Sequence, residues 1–106
     1  MVIAVPSKNR AGQTTTQKWL PNAFFYVPNN ERHQYELAGI KNVIGIPNDV
    51  IGITATRNYI LDNLRGEDVV MIDDDVKSIQ YVDWQTGKRH KLTTEQILQS
   101  FATQML

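Results

Sequence analysis

The stretch VVMIDDDV at positions 69–76 carries the strongest structural signal in the chain, because four apolar residues run directly into three consecutive aspartates. A short, unbroken apolar run is typical of a strand buried on both faces, as in a parallel sheet covered by helices. Adjacent carboxylates repel one another and lose hydration when buried, so we expect them at the carboxyl edge of the sheet, facing something positive. A divalent cation with oxygen ligands fits best.

The composition limits the classes of protein to which this chain can belong. Its 106 residues suffice for one small domain, so we treat residues 1–106 as a single unit. Eleven basic and eleven acidic residues leave no basic surface for non-specific nucleic-acid binding. There is no cysteine, which excludes disulfides and thiolate metal sites. No apolar stretch approaches the roughly 20 residues that span a bilayer, so we predict a cytoplasmic protein without membrane contact.

Apolar runs alternate with helix-like stretches along the first two thirds of the chain. The runs are rich in β-branched or aromatic residues and end at polar or turn-forming ones, as strands do. The predicted strands are residues 2–5, 24–27, 43–46 and 69–72. The predicted helices are residues 13–20, 31–40 and 54–64. This alternation predicts an α/β fold, in which a mostly parallel sheet is flanked by helices and joined by right-handed crossovers.

The third predicted helix has the clearest pattern. Ile53, Ile60, Leu61 and Leu64 share one face at helical spacing. Thr54 is a candidate N-cap, and a glycine follows the helix end.

The pattern changes after the aspartates. Residues 78–84 and 88–92 flank the Gln-Thr-Gly sequence at 85–87, which predicts a hairpin turn. Thr93 and Gln96 have capping-box spacing and open a last helix with one apolar stripe that continues to the final residues. We therefore expect a C-terminal hairpin and helix, and we expect the apolar stripe to pack against a partner chain or a second copy.

The aspartates are the first candidate for chemistry. Alternate residues of an extended segment project to the same side, so Asp73 and Asp75 would face one ligand while Asp74 points elsewhere. Mg²⁺ or Mn²⁺ held this way keeps waters and takes substrate phosphates as further ligands. It would assist a leaving diphosphate as a Lewis acid. The plainer alternative is a solvated acidic turn or a set of helix caps.

Three further segments offer groups that suit a nucleotide. Pro6, Ser7, Asn9 and Arg10 follow the first strand, where short polar side chains and a guanidinium could hold ribose or phosphate. The segment at 52–58, which contains Arg57, opens a helix whose N-terminus could bind phosphate. Asn29, Asn30 and Glu31 follow the second strand and could read a nucleobase edge. Ordinary loops and caps explain each segment as well.

These pieces, in this order, resemble the nucleotide-sugar-binding half of a GT-A-fold glycosyltransferase, close to the family 2 type. The similarity rests on the IAVPSKNR sequence at 3–10, the TATRN sequence at 54–58 and the VMIDDD sequence at 70–75. The last looks like the strand that bears the aspartate-x-aspartate (DXD) motif. The PSKNR wording and the FYVP strand at 25–28 also resemble phage glycosyltransferases associated with hydroxylated-pyrimidine DNA modification, the TET-associated type. The likeness covers about residues 1–80.

The resemblance implies a Rossmann-like fold and a set of roles. Asp75 would ligate Mg²⁺ or Mn²⁺, and Asp73 would touch ribose or a metal-bound water. Pro6, Ser7, Asn9, Arg10, Glu31, Arg57 and Asp74 would line the nucleotide-diphosphate sugar. The acceptor is left open, with a modified phage DNA base as one candidate, and a phage-encoded enzyme would act in the host cytoplasm.

Two departures from the family pattern bear on these expectations. Asn29, Asn30 and Glu31 stand where the family usually has an aspartate that reads uracil, so the base is left open. The family's acceptor half does not follow, so we expect this domain to be incomplete relative to a full enzyme and assign no catalytic residue. Transfer would then require the acceptor half. The rival functions are a receiver-like or phosphohydrolase-like aspartate domain and a non-catalytic nucleotide-binding module.

Overall fold

The computed structural model, which describes residues 2–77, 80–82 and 89–91, contains a four-stranded, all-parallel sheet flanked by helices. Its strands are β1 (Val2–Pro6), β2 (Phe24–Pro28), β3 (Val43–Ile46) and β4 (Val69–Met71). All four predicted strands are present, and the predicted α/β class is confirmed at this level. Pro6 and Pro28 are the last paired residues of β1 and β2. At the end of a strand, the missing N–H of a proline costs few hydrogen bonds between strands.

The order of the strands is β3-β2-β1-β4. From β1 the chain adds β2 and then β3 on one side of β1. It then crosses back, and β4 pairs with β1 on the opposite side. Right-handed crossovers that run in opposite directions put their connections on opposite faces of the sheet. The two helices, α1 (Arg32–Leu37) and α2 (Ile53–Asn63), therefore cover opposite faces.

Two apolar clusters follow from this arrangement. Val5 and Phe25 pack with Tyr35 of α1 on one face, and Ala4 and Tyr26 pack with Ile60 of α2 on the other. Consecutive residues of β1 and β2 thus alternate between the clusters, as strand geometry requires. Residues 69–72 were predicted to be buried on both faces of the sheet, but each of them is only half-buried, so this prediction is wrong. The physical reason is that β4 lies at the edge of the sheet formed by the described residues.

Helix α1 ends in a defined cap that fixes its single buried residue, Tyr35. Ala38 is the C-cap, and Gly39 follows with φ 95°. The N–H of Gly39 donates to the carbonyl of Glu36, and the N–H of Ile40 donates to the carbonyl of Tyr35. This is a Schellman motif, for which glycine is favoured because it adopts positive φ without strain.

The predicted helices are all shorter or differently capped in the structure. Residues 13–20 form only a 3-10 turn, Thr16–Lys18, and tertiary contacts with the turn after β4, such as those of the Thr15 and Thr16 N–H groups with the carbonyl of Asp74, override the local helical spacing. The predicted 31–40 helix is reduced to α1, with a 3-10 turn, Asn29–Glu31, before it.

The start of α2 also differs from the prediction. Its N-cap is Gly52, with φ 94°, and no side chain caps it, so the assignment of Thr54 as the cap is wrong. Thr56 Oγ1 instead donates to the carbonyl of Gly52 at 2.8 Å. Ile60 is buried as predicted, but Ile53 and Leu61 are 58% and 50% exposed. Ile53 escapes burial because the first residue of α2 lies beyond the strand ends.

Two further strands, β5 (Gln80–Val82) and β6 (Arg89–Lys91), pair antiparallel. The predicted turn at 85–87 and the predicted last helix from Thr93 lie outside the described residues. Within the part of the chain that the structure describes, no helix combines the length and apolar character needed to cross a bilayer.

Gly45 of β3 generates the first prediction. A Cβ at this position would collide with the side-chain oxygen of Asn29 and lie 3.3 Å from the Asn29 Cα. We expect Gly45→Ala to lower the free energy of unfolding by about 1–3 kcal/mol, as overpacking does. Urea unfolding measures the change.

The matched control for this substitution is Asn29→Ala, which removes the colliding atoms. In that background we expect Gly45→Ala to cost much less, because only the Asn29 backbone remains close. Equal losses in both backgrounds would contradict the collision.

Candidate nucleotide-binding site

A cavity of about 500 Å³ lies at the carboxyl ends of the first three strands and reaches the turn after β4. Its volume falls in the range of about 300–1,000 Å³ that is usual for small-molecule sites. One part of the lining is polar and comes from the segments after β1 and β2 and from Asp74; the other is largely apolar and comes from β3 and the start of α2. The lining residues are Pro6, Ser7, Lys8, Asn9, Arg10, Tyr26, Pro28, Asn30, Glu31, Ile46, Asn48, Val50, Ile51, Gly52, Ile53, Thr56 and Asp74.

Backbone N–H groups of the loop after β1 donate hydrogen bonds to β2 and to the turn after it, and these bonds hold the loop in place. The N–H of Ser7 donates to the carbonyl of Tyr26 on the neighbouring strand at 3.0 Å. Asn9 adopts φ 57°, a left-handed conformation that asparagine tolerates better than most residues. In this conformation its N–H donates to Glu31 Oε1 at 2.6 Å. Glu31, which we expected to bind nucleotide, therefore also supports the loop that follows β1.

A chain of buried hydrogen bonds connects α1 to the turn after β4. Ser7 Oγ donates to Asp74 Oδ2 at 2.5 Å and lies 2.7 Å from the Tyr35 hydroxyl. Because the Ser7 proton is engaged by the carboxylate, the Tyr35 hydroxyl must donate to Ser7. The Tyr35 oxygen in turn accepts from the backbone N–H of Arg10 at 3.1 Å. This network brings together β1, α1 and β4, which are far apart in sequence.

Asp74 completes the network with an ion pair. Its Oδ1 accepts from Arg10 Nε at 3.1 Å. The aspartate side chain is 9% exposed and that of the arginine is 40% exposed, so the carboxylate is buried while the guanidinium reaches the cavity. A buried carboxylate is tolerated only when charge and hydrogen bonds compensate it, and here both of its oxygens are occupied.

The backbone of the aspartate turn is held by the segment before β2. Thr15 N–H and Thr16 N–H donate to the carbonyl of Asp74 at 2.9 and 3.3 Å. The buried Thr16 hydroxyl donates to the carbonyl of Asp73 and accepts from the N–H of Val76. Trp19 Nε1 donates to the carbonyl of Val76 at 2.7 Å. These tertiary contacts tie the 13–20 segment to the turn after β4 and override its local helical spacing.

The structure separates the predicted site residues into two groups. Pro6, Ser7, Asn9, Arg10, Glu31 and Asp74 lie together at the cavity. Arg57, Asp73 and Asp75 are exposed and are not part of the lining that the described residues form. The prediction that Asp74 points away from the site is therefore wrong. The carboxylate of Asp74 contacts Ser7 and Arg10, whereas Asp73 and Asp75 are exposed on the same turn.

Sequence reasoning missed several contributors to the site. Tyr35 lies within the predicted 31–40 helix, and its contacts with Ser7 and Arg10 in the loop after β1 give it a role at the site. Asn48, Val50 and Ile51 follow β3 at the carboxyl edge. Their position after a strand was the available signal, because loops at this edge converge in a parallel sheet.

Metal ligation was tested against the same geometry. Among the described residues there is no group of three or more histidine, cysteine or acidic side chains that could hold a metal ion. The exposed carboxylates of Asp73 and Asp75 still fit Mg²⁺, because that ion commonly takes one or two carboxylates and fills its remaining positions with water and phosphate.

In comparisons with known proteins, no family model, no curated protein and no solved structure matches this chain.

Thr16 provides a test of how the aspartate turn is held. Thr16→Val keeps the shape of the side chain but leaves the Val76 N–H and the Asp73 carbonyl without their partner. We expect the free energy of unfolding to fall by about 1–3 kcal/mol, the usual cost of an unpaired buried group. The exposed Thr54 is the control, and Thr54→Val should change the free energy by less than about 0.5 kcal/mol. Equal losses in urea unfolding would contradict this role.

Tyr35 gives a prediction about alkaline pH. Burial raises the pKa of Tyr35 above its ordinary value near 10, because the phenolate would lose hydration. The unfolded chain then releases this proton first, so the contribution of Tyr35 to the free energy of unfolding is constant below about pH 10 and falls as the pH rises toward the folded pKa. We expect Tyr35→Phe to make this fall shallower in urea titrations between neutral and alkaline pH.

The same measurement has an internal check. Burial also raises the pKa of Tyr26, so the Tyr26→Phe/Tyr35→Phe double variant should show a still shallower decline. An unchanged alkaline slope in Tyr35→Phe would contradict the buried, protonated state of this hydroxyl.

Proposed function

We propose that this chain is the donor-binding part of a metal-dependent glycosyltransferase and that its cavity binds a nucleotide-diphosphate sugar. The observation that carries the proposal is that Ser7 and Asp74, which follow β1 and β4, meet at one cavity. The strand order reverses between β1 and β4, and open α/β sheets bind ligands at such a point, outside the carboxyl ends of the strands.

The chemical character of the cavity supports a nucleotide. Ile46, Val50, Ile51 and Ile53 form an apolar side that suits the flat face of a nucleobase. Asn30 and Asn48 provide amide groups at the cavity, and the Asn30 N–H lies 3.4 Å from Asn48 Oδ1. Ser7, Asn9 and Arg10 provide the hydroxyl, amide and guanidinium groups that bind ribose and phosphate oxygens.

Asp73 and Asp75 would hold Mg²⁺ or Mn²⁺ in this proposal. When bound, the ion would neutralise negative charge on the diphosphate leaving group. The exposed position of both carboxylates leaves them free to meet a metal that arrives with the nucleotide. Asp74 is engaged by Ser7 and Arg10, so its contribution is to the loop and not to the ion.

The wider elements of the proposal follow from the sequence resemblance. The fold would be the Rossmann-like half of a GT-A enzyme, which acts together with an acceptor-binding half. A modified phage DNA base is the proposed acceptor, the host cytoplasm the proposed location, and the predicted C-terminal helix the proposed contact with a partner chain.

The receiver-like alternative is not favoured by the topology. Flavodoxin-like receiver domains have the strand order 2-1-3-4-5, whereas here β2 lies between β1 and β3. A phosphoryl acceptor also needs a carboxylate oxygen directed at the cavity, and both oxygens of Asp74 already accept hydrogen bonds.

Calorimetry with a panel of nucleotide-diphosphate sugars, with and without Mn²⁺, tests the proposed function. We expect the native chain to bind at least one of them and to bind it more tightly with Mn²⁺. Asp75→Asn should lose about tenfold or more of the affinity measured with Mn²⁺, as loss of metal-site groups does, and little of the affinity without it.

Asp62→Asn is the matched control, because it removes the same charge from an exposed position on α2. This variant should bind like the native chain. If none of the nucleotide sugars binds, the proposal is wrong; if Asp75→Asn retains the full effect of Mn²⁺, the metal assignment is wrong.

A further inference from the structure

The contacts of Asp74 suggest a role that differs from that of the other two aspartates. Its carboxylate is buried and accepts from Ser7 Oγ on one oxygen and from Arg10 Nε on the other. A carboxylate with both oxygens engaged and little exposure is poorly placed to ligate a metal. It is well placed to fix the two side chains that donate to it.

Arg10 is the side chain whose orientation matters most. A guanidinium is a planar fork with five N–H donors. Asp74 engages the Nε donor, so the outer edge formed by the two terminal nitrogens is left for a ligand, and the side chain is 40% exposed and lines the cavity. That edge matches a phosphate group in a bidentate geometry.

The backbone of Arg10 is fixed as well. Its N–H donates to the Tyr35 hydroxyl, and its carbonyl accepts from the N–H of Gln13. Backbone and side chain of Arg10 are thus both held before any ligand arrives. Such preorganisation lowers the entropy lost when a ligand is bound.

We propose that Asp74 is a positioning residue, which holds the Arg10 guanidinium so that its outer edge binds the diphosphate of the ligand. This inference rests on the proposed function, because it assumes a diphosphate in the cavity. It assigns Asp74 to phosphate binding through Arg10 and leaves metal binding to its exposed neighbours.

A double-mutant cycle on the 106-residue chain tests this assignment, with inorganic pyrophosphate as the probe in metal-free buffer. We expect Asp74→Asn and Arg10→Ala each to weaken pyrophosphate binding about tenfold, the scale of one charge-assisted contact. If Asp74 acts through Arg10, the double variant should bind no more weakly than Arg10→Ala alone. Additive losses would overturn the inference.

Mn²⁺ binding by electron paramagnetic resonance separates positioning from ligation. Asp74→Asn should retain the affinity of the native chain for Mn²⁺ alone. Loss of Mn²⁺ binding with pyrophosphate affinity retained would make Asp74 a metal ligand and overturn the inference.

One measurement needs no substitution and is therefore independent of folding defects. In NMR spectra of the native chain, the Arg10 Nε–H should exchange with water more slowly than that of the exposed Arg57. Equal exchange rates would overturn the inference by showing that the ion pair does not hold the guanidinium.

The outcomes distinguish the two proposals. Coupled losses of pyrophosphate binding, without binding of any nucleotide sugar, would support the positioning role and contradict the proposed function. If a nucleotide sugar binds but the losses of pyrophosphate binding in Asp74→Asn and Arg10→Ala are additive, the proposed function is supported and the positioning role is contradicted. If neither pyrophosphate nor nucleotide sugars bind, both are wrong.

Discussion

The polar side of the cavity depends on compensating a buried carboxylate, that of Asp74. Removing an ionised group from water is costly unless hydrogen bonds and opposite charge replace the solvent. Ser7 and Arg10 supply both, and they do so from the loop after β1, more than sixty residues away in the chain. The compensation therefore ties the edge strand β4 to the strand beside it at the end where the cavity opens.

The same constraint explains the arrangement of the neighbouring segments. Tyr35 must donate to Ser7 because Ser7 donates to the carboxylate, and this bond ties α1 to the loop after β1. The Thr16 hydroxyl bonds to the backbone of the aspartate turn and ties the segment before β2 to it. The site is thus rigid on its polar side, while Ile51 and Ile53 remain exposed on its apolar side. A rigid polar wall beside an open apolar wall suits a ligand with a charged part and a flat part.

The sequence predicts the strands well and the site in part. Each strand is a short run of β-branched or aromatic residues, a local property that can be recognised without knowing the tertiary contacts. The predicted bounds of the strand at 43–46 therefore agree with the structure. The loop after β1 and the aspartates were expected at one sheet edge, because the ends of parallel strands converge there. The resemblance places Asp74 at the nucleotide, but alternation along the strand directs it elsewhere, since alternation gives two opposite faces without saying which one meets Arg10. Tyr35 and Thr16 were missed because their partners are distant in sequence and leave no local pattern.

The most direct test of the account is an NMR titration of the labelled chain with nucleoside diphosphates in the presence of Mg²⁺. We expect the largest shifts on the backbone amides of residues 7–10, 29–31, 48–53 and 73–75, the segments that contribute most of the cavity lining or follow β4 beside it. We also expect the Arg10 Nε–H signal to shift with the same apparent affinity. Absence of any shift at saturating nucleotide, or shifts confined to the amino ends of the strands, would contradict the account.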